Sequence, residues 1–223
     1  MVKLLWFLKL SFHEKQYLLA SVFAKLVGKF FYQRIFAEFG HGSWIKKPER
    51  IAGASRIRIG QRTRIESGAT LYAIQKFAKH RYKGEIIIGN HVYLNRMFNA
   101  TSASKITIGD YVSCGSNVSI VNFDHGWMEI DKDINSTPLM VHGEIEIAAQ
   151  SWIGNNAVIL GGVKIGQHCV IGAGSIVTKD IPNYSVAVGN PAKVIKQYDF
   201  EHKVWQQISD SRALNASGVT DQP

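Results

Sequence analysis

Eight histidines, two cysteines and 17 acidic residues are the side chains in this 223-residue chain that can move protons, hold a metal or attack an electrophile. One histidine is set apart by its surroundings. His125 closes the stretch SNVSIVNFDHG, directly follows Asp124 and stands where a regular repeat gives way to an irregular segment. An imidazole titrates near pH 6.5, so a neutral histidine at a solvent-facing corner can take a proton from a hydroxyl group under ordinary conditions. His91 and His168 fall at outward repeat positions, His80 and His142 lie in irregular segments, and His13, His41 and His202 are outside the repeats; these seven are expected to be solvated. No paired histidines stand at metal-ligand spacing near His125, so a metal-dependent reading has little to rest on. Cys114 and Cys169 occupy inward repeat positions, where a small apolar side chain is wanted, and are read as reduced core thiols in a reducing compartment, the cytoplasm.

The elements that position His125 follow from the spacing of aliphatic residues. Ile147, Ile153, Ile159, Ile165, Ile171 and Val177 recur every sixth position. In an α-helix six residues turn through about 600°, so these side chains would scatter around the axis. In a strand the even period keeps them on one side, and the intervening Gly-Asn and Gly-Gly pairs permit corners. A second series, Ser151, Ala157, Val163, Cys169, Ser175 and Ile181, is small or apolar and fits the inside of a narrow prism. Repetition at this short fixed period points to an all-β solenoid, a parallel β-helix of hexapeptide repeats. The same register is found at 59–70, 88–105 and, after a two-residue slip, 108–125. Two excursions interrupt it, at 72–85 and 126–144. Long irregular loops in a compact domain commonly serve binding.

Three segments are therefore expected: an amphipathic basic helical segment over 1–46, a β-helix domain over 47–198 carrying the two loops, and a short C-terminal helix and tail over 199–223. In the first, Leu18, Leu19, Val22, Phe23, Leu26, Val27, Phe30 and Phe31 follow helical spacing, with Lys15, Lys25 and Lys29 on the other face. Such a helix either packs on the solenoid or lies in a membrane interface through residues 1–40. The segment lacks the long apolar run of a spanning helix and the cleavage pattern of a signal peptide. The formal net charge of +9 favours acidic partners, yet no nucleic-acid-binding signature accompanies it.

The stretch IGNNAVILGGVKIGQHCVIGAGSIVTKDIPNYSVAVGNPAKVIK, together with SNVSIVNFDHG, the upstream YLN and WIGNN, resembles the hexapeptide-repeat acyltransferases. The likeness is to their sugar and polysaccharide O-acetyltransferase branch, which includes galactoside and maltose acetyltransferases, and it covers roughly residues 50 to 198. The resemblance implies a left-handed coil, a homotrimer with sites between subunits, acetyl-CoA as cosubstrate, no required metal, and a sugar hydroxyl as acceptor. N-acetylation of a nucleotide-linked amino sugar is the enzymatic alternative, and a non-catalytic or metal-dependent β-helix protein the minor one.

By the same resemblance, His125 is the catalytic base and Asn95 bonds the acceptor, with Asp124 beside it as a further substrate contact. Trp152 flanks the pantetheine arm of coenzyme A, backbone N–H groups around Asn155 steady the thioester oxygen, and Ala173 and Gly174 keep a flat path for the arm. Lys179, Lys193 and Lys196 meet its phosphates. The family carries a glutamate in the loop after the histidine, where this chain has Leu139; Asp124, Glu129, Asp131 and Glu144 all remain candidates for an acid that orients His125.

Overall fold

Strands of two to five residues separated by tight corners build most of this chain, because each short aliphatic-rich run can bury only one side before a residue with positive φ turns it. The computed structural model describes residues 10–208. Its strands form three parallel faces. Face A holds Glu38–Phe39, Ile57–Ile59, Glu85–Ile88, Lys105–Ile108, Ile145–Ile147 and Lys164–Ile165. Face B holds Trp44–Ile45, Arg64–Ile65, Tyr93–Leu94, Ser113–Cys114, Trp152–Ile153 and Val170–Ile171, then Ser185–Gly189. Face C holds Arg50–Ala52, Thr70–Ala73, Asn99–Ser102, Ser119–Val121, Val158–Leu160 and Ile176–Val177. The chain visits A, B and C in turn, and each strand pairs in parallel with the one a coil later, as in Ile108↔Ile147 and Ile120↔Ile159.

Both six-residue series point inward. Ile147, Ile153, Ile159, Ile171 and Val177 are fully buried, and so are Ala157 and Ser175 of the second series. A fully buried aliphatic side chain contributes about 1.5–3 kcal/mol relative to an exposed one, so the stacked isoleucines are the main source of cohesion. The inward serines are satisfied by the backbone: Ser151 Oγ donates to the Gly166 carbonyl at 2.9 Å and accepts the Cys169 N–H at 3.0 Å. Cys114 and Cys169 are free, buried thiols, and burial raises the pKa of both. The two-residue slip falls in the corner between Ala100 and Ile108, where Ser102 and Ala103 are also buried.

Two boundaries differ from the sequence expectation. The first coil begins at Glu38, ahead of residue 47, because Phe39 and Ile45 supply the inward pair that WIKKPERIAG hides from a hexapeptide count. The expected C-terminal helix is a strand: Ala192–Asp199 runs back antiparallel to Ser185–Gly189 and pairs with Val204–Gln207, covering the end of face B. Trp205 and Tyr198 meet edge-on at 5.4 Å in that hairpin, a cross-strand aromatic contact that competes with helix formation. Residues 209–223 of the predicted tail lie outside the described residues.

The N-terminal helix, α1 (Phe12–Val27), begins at a capping box in which the Ser11 N–H donates to Glu14 Oε2 at 2.7 Å and the Glu14 N–H donates to Ser11 Oγ at 3.3 Å. It continues through a wider turn at Gly28–Tyr32 and ends when Phe36 becomes extended. Its small side docks on the first coil. A Cβ at Gly28 would stand 2.9 Å from the Phe39 ring and 3.1 Å from the Ser43 carbonyl, so glycine permits the approach. Tyr32, Phe36 and Phe39 then interlock at 5.4–5.5 Å. The bulky residues Phe12, Leu19, Val22, Phe23, Leu26 and Phe30 point away and stay exposed. No helix among the described residues is long and apolar enough to cross a membrane.

Candidate active site

Both excursions leave the prism at the same edge, between faces C and A, with one coil between them. The first is narrower than the expected 72–85, since Tyr72, Ala73 and Glu85 belong to the coils; it is a hairpin of Lys76–Phe77 and His80–Arg81. The Gln75 side-chain amide donates to the Gly84 carbonyl at 2.8 Å and closes its neck. The second is rimmed by an antiparallel pair, Phe123–Asp124 with Met140–Val141. The two loops meet across the tight corner of the intervening coil. The Leu139 N–H donates to the Tyr82 hydroxyl at 2.6 Å, and Leu139 joins Ile74 and Ala103 in a small core separate from the prism. Leu139 is thus a packing residue. Buried Asn122 fastens the loop base: its amide donates to Ser102 Oγ and Ser104 Oγ at 3.1 and 2.7 Å, and its oxygen accepts the Ala103 N–H at 2.9 Å.

His125 stands exposed at the mouth of this assembly. Its ring is met edge-on by Phe77 of the other loop, with centroids 5.2 Å apart and an interplanar angle of 75°. Among the described residues no carboxylate bonds its ring. The candidate acids are engaged elsewhere or stand apart: Asp124 Oδ2 lies 2.8 Å from His142 Nε2, Glu129 pairs with Lys132, and Asp131 and Glu144 show no contact to His125. His142 is exposed, as expected, and has this pair besides. Its backbone N–H also donates to the Asn122 carbonyl at 2.9 Å, and no periodicity in the sequence relates residues 124 and 142. His91 and His202 likewise have partners, stacked on Tyr111 and bonded to Asp199.

The other expected site residues gather at a different edge, between faces B and C. There the corners of successive coils are joined by a backbone ladder: Met97 N–H to Ser67, Asn117 N–H to Arg96, Asn156 N–H to Ser116 and Gly174 N–H to Asn155, at 2.8–3.0 Å. Asn95 sits on the third coil of this edge. Its side-chain oxygen accepts the Arg96 N–H at 2.8 Å, which leaves its amide N–H groups to donate outward. Asn155 is committed to the ladder, since its side-chain oxygen accepts the Ser116 N–H at 2.8 Å and stands 2.2 Å from where a Gly115 Cβ would be. Ala173 and Gly174 follow one coil on. Gly174 has φ +71° with nothing within 4 Å of a built Cβ, an open surface. Trp152, 57% exposed on face B between Ser113 and Val170, is no core residue.

Lys179 and Lys193 converge on a cleft at the C-terminal end, between face A and the terminal hairpin, with Lys164, Asn183 and Tyr198. Lys196 is not among its lining residues; it lies on the paired stretch opposite Val186 and Gln207. Among the described residues no group of three histidine, cysteine or acidic side chains could hold a metal ion.

Residues 144–179 match the bacterial transferase hexapeptide family, described as six repeats. A protein of Escherichia coli assigned as the lipopolysaccharide biosynthesis O-acetyl transferase WbbJ is 30% identical over 131 residues, covering 56% of this chain and 67% of its own length. The chain belongs to the hexapeptide-repeat transferase family. Within that family, it is 38% identical to the galactoside O-acetyltransferase of Escherichia coli over 122 residues, 55% of this chain and 59% of that one. The chain spans about half to two thirds of the length of the first relatives it matches. A hexapeptide-repeat fold similarity extends to AntD, an N-acyltransferase from Bacillus cereus solved with dTDP and 3-hydroxybutyryl-CoA. Its TM-score is 0.63 at 19% identity, over 76% of this chain and 87% of that one.

Proposed function

We propose that this chain is an acetyl-CoA-dependent O-acetyltransferase that acts on a sugar hydroxyl in surface polysaccharide or glycan biosynthesis. The observation that carries the reading is His125: an exposed imidazole at the junction of two packed loops, held by a ring contact that leaves its nitrogens free, in a chain of the hexapeptide-transferase family. A neutral imidazole nitrogen accepts the proton of the acceptor hydroxyl, whose oxygen attacks the thioester carbonyl carbon. The C–S bond then breaks, and the imidazolium returns its proton to the departing thiolate. The acetyl group passes directly, and no covalent enzyme intermediate forms. Trp152 gives the pantetheine arm a flat apolar wall, Ala173 and Gly174 an open path beside it, and Lys179 and Lys193 two cations for the phosphates.

A homotrimer of left-handed coils is part of the same reading. His125 belongs to the C/A edge, whereas Asn95, Asn155, Ala173 and Gly174 belong to the B/C edge, with face C between them. A complete site then needs the C/A edge of one chain beside the B/C edge of its neighbour, which a closed ring of prisms supplies. The outward side of α1, with Phe12, Leu19, Phe23 and Phe30 exposed and Lys15, Lys25 and Lys29 on the same helix, supports peripheral contact with an anionic membrane on its cytoplasmic side.

The test is release of the coenzyme A thiol from acetyl-CoA in the presence of free sugars, nucleotide sugars, nucleotide amino sugars and lipid-linked glycans. Acetyl ester formed on a hydroxyl by the wild type, lost in His125→Ala, is the expected result. Product formed only on an amine would replace O- by N-acetylation, and no turnover with any acceptor would overturn the reading.

A further inference from the structure

A cleft of about 790 Å³ opens between α1 and the B/C edge of the first three coils. Its floor holds a buried charge. Lys46 is 5% exposed, and its Nζ has no hydrogen-bond partner; the nearest carboxylate oxygen, Glu66 Oε2, is 3.6 Å away. The other Glu66 oxygen accepts the Tyr17 hydroxyl at 2.7 Å, and the Tyr17 ring lies 3.2 Å from Lys46 Nζ. Lys46 and Glu66 therefore cancel in charge, and the ammonium is held by this pair and by the face of the Tyr17 ring, so the floor of the cleft is neutral overall.

The rim is not neutral. Lys47 and Arg96 line it, both exposed, and neither has a side-chain hydrogen bond or ion pair among the described residues. Arg64 projects from the same face, in register with Tyr93 of the lining. Beside these cations stand neutral donors, the Asn95 amide and the Ser67 hydroxyl. Unpaired rim cations over a neutral floor suit an anion carrying several oxygens, and guanidinium matches phosphate in a two-point geometry.

We propose that this cleft binds a phosphate or diphosphate group of a glycosyl acceptor, resting on the acetyltransferase reading for the acceptor's role. Arg96 and Lys47 grip the phosphate oxygens, and the Asn95 amide bonds the attached sugar. The substrate class is then a phosphorylated sugar, soluble or linked to lipid, and not a free neutral sugar.

Calorimetry with inorganic pyrophosphate on the full chain tests the site at low salt, against the double variant Lys47→Gln/Arg96→Gln and the single variant Arg96→Glu. Saturable binding is expected for the wild type, weaker by at least about tenfold in both variants, since each removes charge-assisted hydrogen bonds. Both positions are exposed and unpartnered, so melting temperatures should match the wild type and loss of binding can be assigned to the cleft. A second arm uses phosphatidylcholine vesicles with and without a polyprenyl diphosphate. Capture by the diphosphate vesicles identifies a lipid-linked acceptor, and pyrophosphate binding without such capture a soluble one. No pyrophosphate binding by the wild type, or equal binding by the variants, overturns the proposal even if acetyl transfer is observed. Loss of binding in the variants upholds the phosphate site even if no acetyl transfer is found, so the two readings fail separately.

Discussion

Phe77 meets the ring of His125 edge-on at 5.2 Å although one residue belongs to the first excursion and the other to the second. The contact spans a whole coil and is backed by the small core of Ile74, Ala103 and Leu139, against which Phe77 packs. An aromatic edge on an imidazole limits the ring's rotation without occupying either nitrogen.

In the proposed mechanism Phe77 would act as a positioning residue for His125. Phe77→Ala should lower kcat by about tenfold with little change in the KM for acetyl-CoA, and Phe77→Tyr, which keeps the ring edge, should recover most of it. Steady-state kinetics on a confirmed acceptor check this; equal kcat in Phe77→Ala and wild type would show that the contact only packs the loops.

His125 and Trp152 should separate chemistry from donor binding. His125→Ala is expected to lower kcat by about 10²-fold or more and to leave acetyl-CoA affinity nearly unchanged, the range typical of a positioned general base. Trp152→Ala should instead weaken donor binding, with a smaller loss at saturating acetyl-CoA. Calorimetry with coenzyme A beside the kinetics distinguishes the two patterns.

Because His125 and Trp152 belong to different parts of the prism, the impaired His125→Ala and Trp152→Ala chains should complement each other when mixed, reassembled and assayed at low acetyl-CoA. A trimer whose sites form between chains regains some wild-type sites in the mixture, whereas a chain with self-contained sites regains none. Light scattering should give a trimer mass, and a monomer mass at micromolar concentration would exclude the arrangement.

The Tyr17 hydroxyl titrates far above its ordinary value, pushed up to about 12 first by its hydrogen bond to Glu66 and then by burial and the Glu66 charge. A folded-state value raised above that of the unfolded chain means that the contribution is fully present below about pH 10 and is lost as the pH rises through about 12. Attachment of α1 should accordingly loosen over that window. Tyr17→Phe should be less stable near pH 7 and should show a smaller further loss between pH 10 and 12, followed by thermal melts at each pH.

The exposed stripe on α1 gives a membrane prediction independent of the core. Phe23→Glu/Phe30→Glu should abolish co-sedimentation with vesicles containing phosphatidylglycerol while leaving the melting temperature nearly unchanged, since both residues point away from the solenoid. Full-length protein that ignores such vesicles at low salt would make the helix purely structural.

The sequence by itself determined the coil. Ile147 through Val177 repeat at an even, non-helical period, and each inward position is decided by its own burial, a local property that a pattern can carry. Where the period fails, the sequence misreads: the first coil at Glu38 carries Phe39 where the following coils carry isoleucine, and the terminal segment forms a hairpin only because Ser185–Gly189 offers an open edge. Only the tertiary structure decided the site. Asp124 faces His142 and not His125, Phe77 reaches His125 from a loop nearly fifty residues earlier, and the buried Lys46 lies under Tyr17 of a helix that no repeat predicts. These contacts join residues whose separation is set by how many coils lie between two loops, and each coil returns the chain to the same edge. Proximity along the edge thus follows from winding, which no spacing within a single segment records.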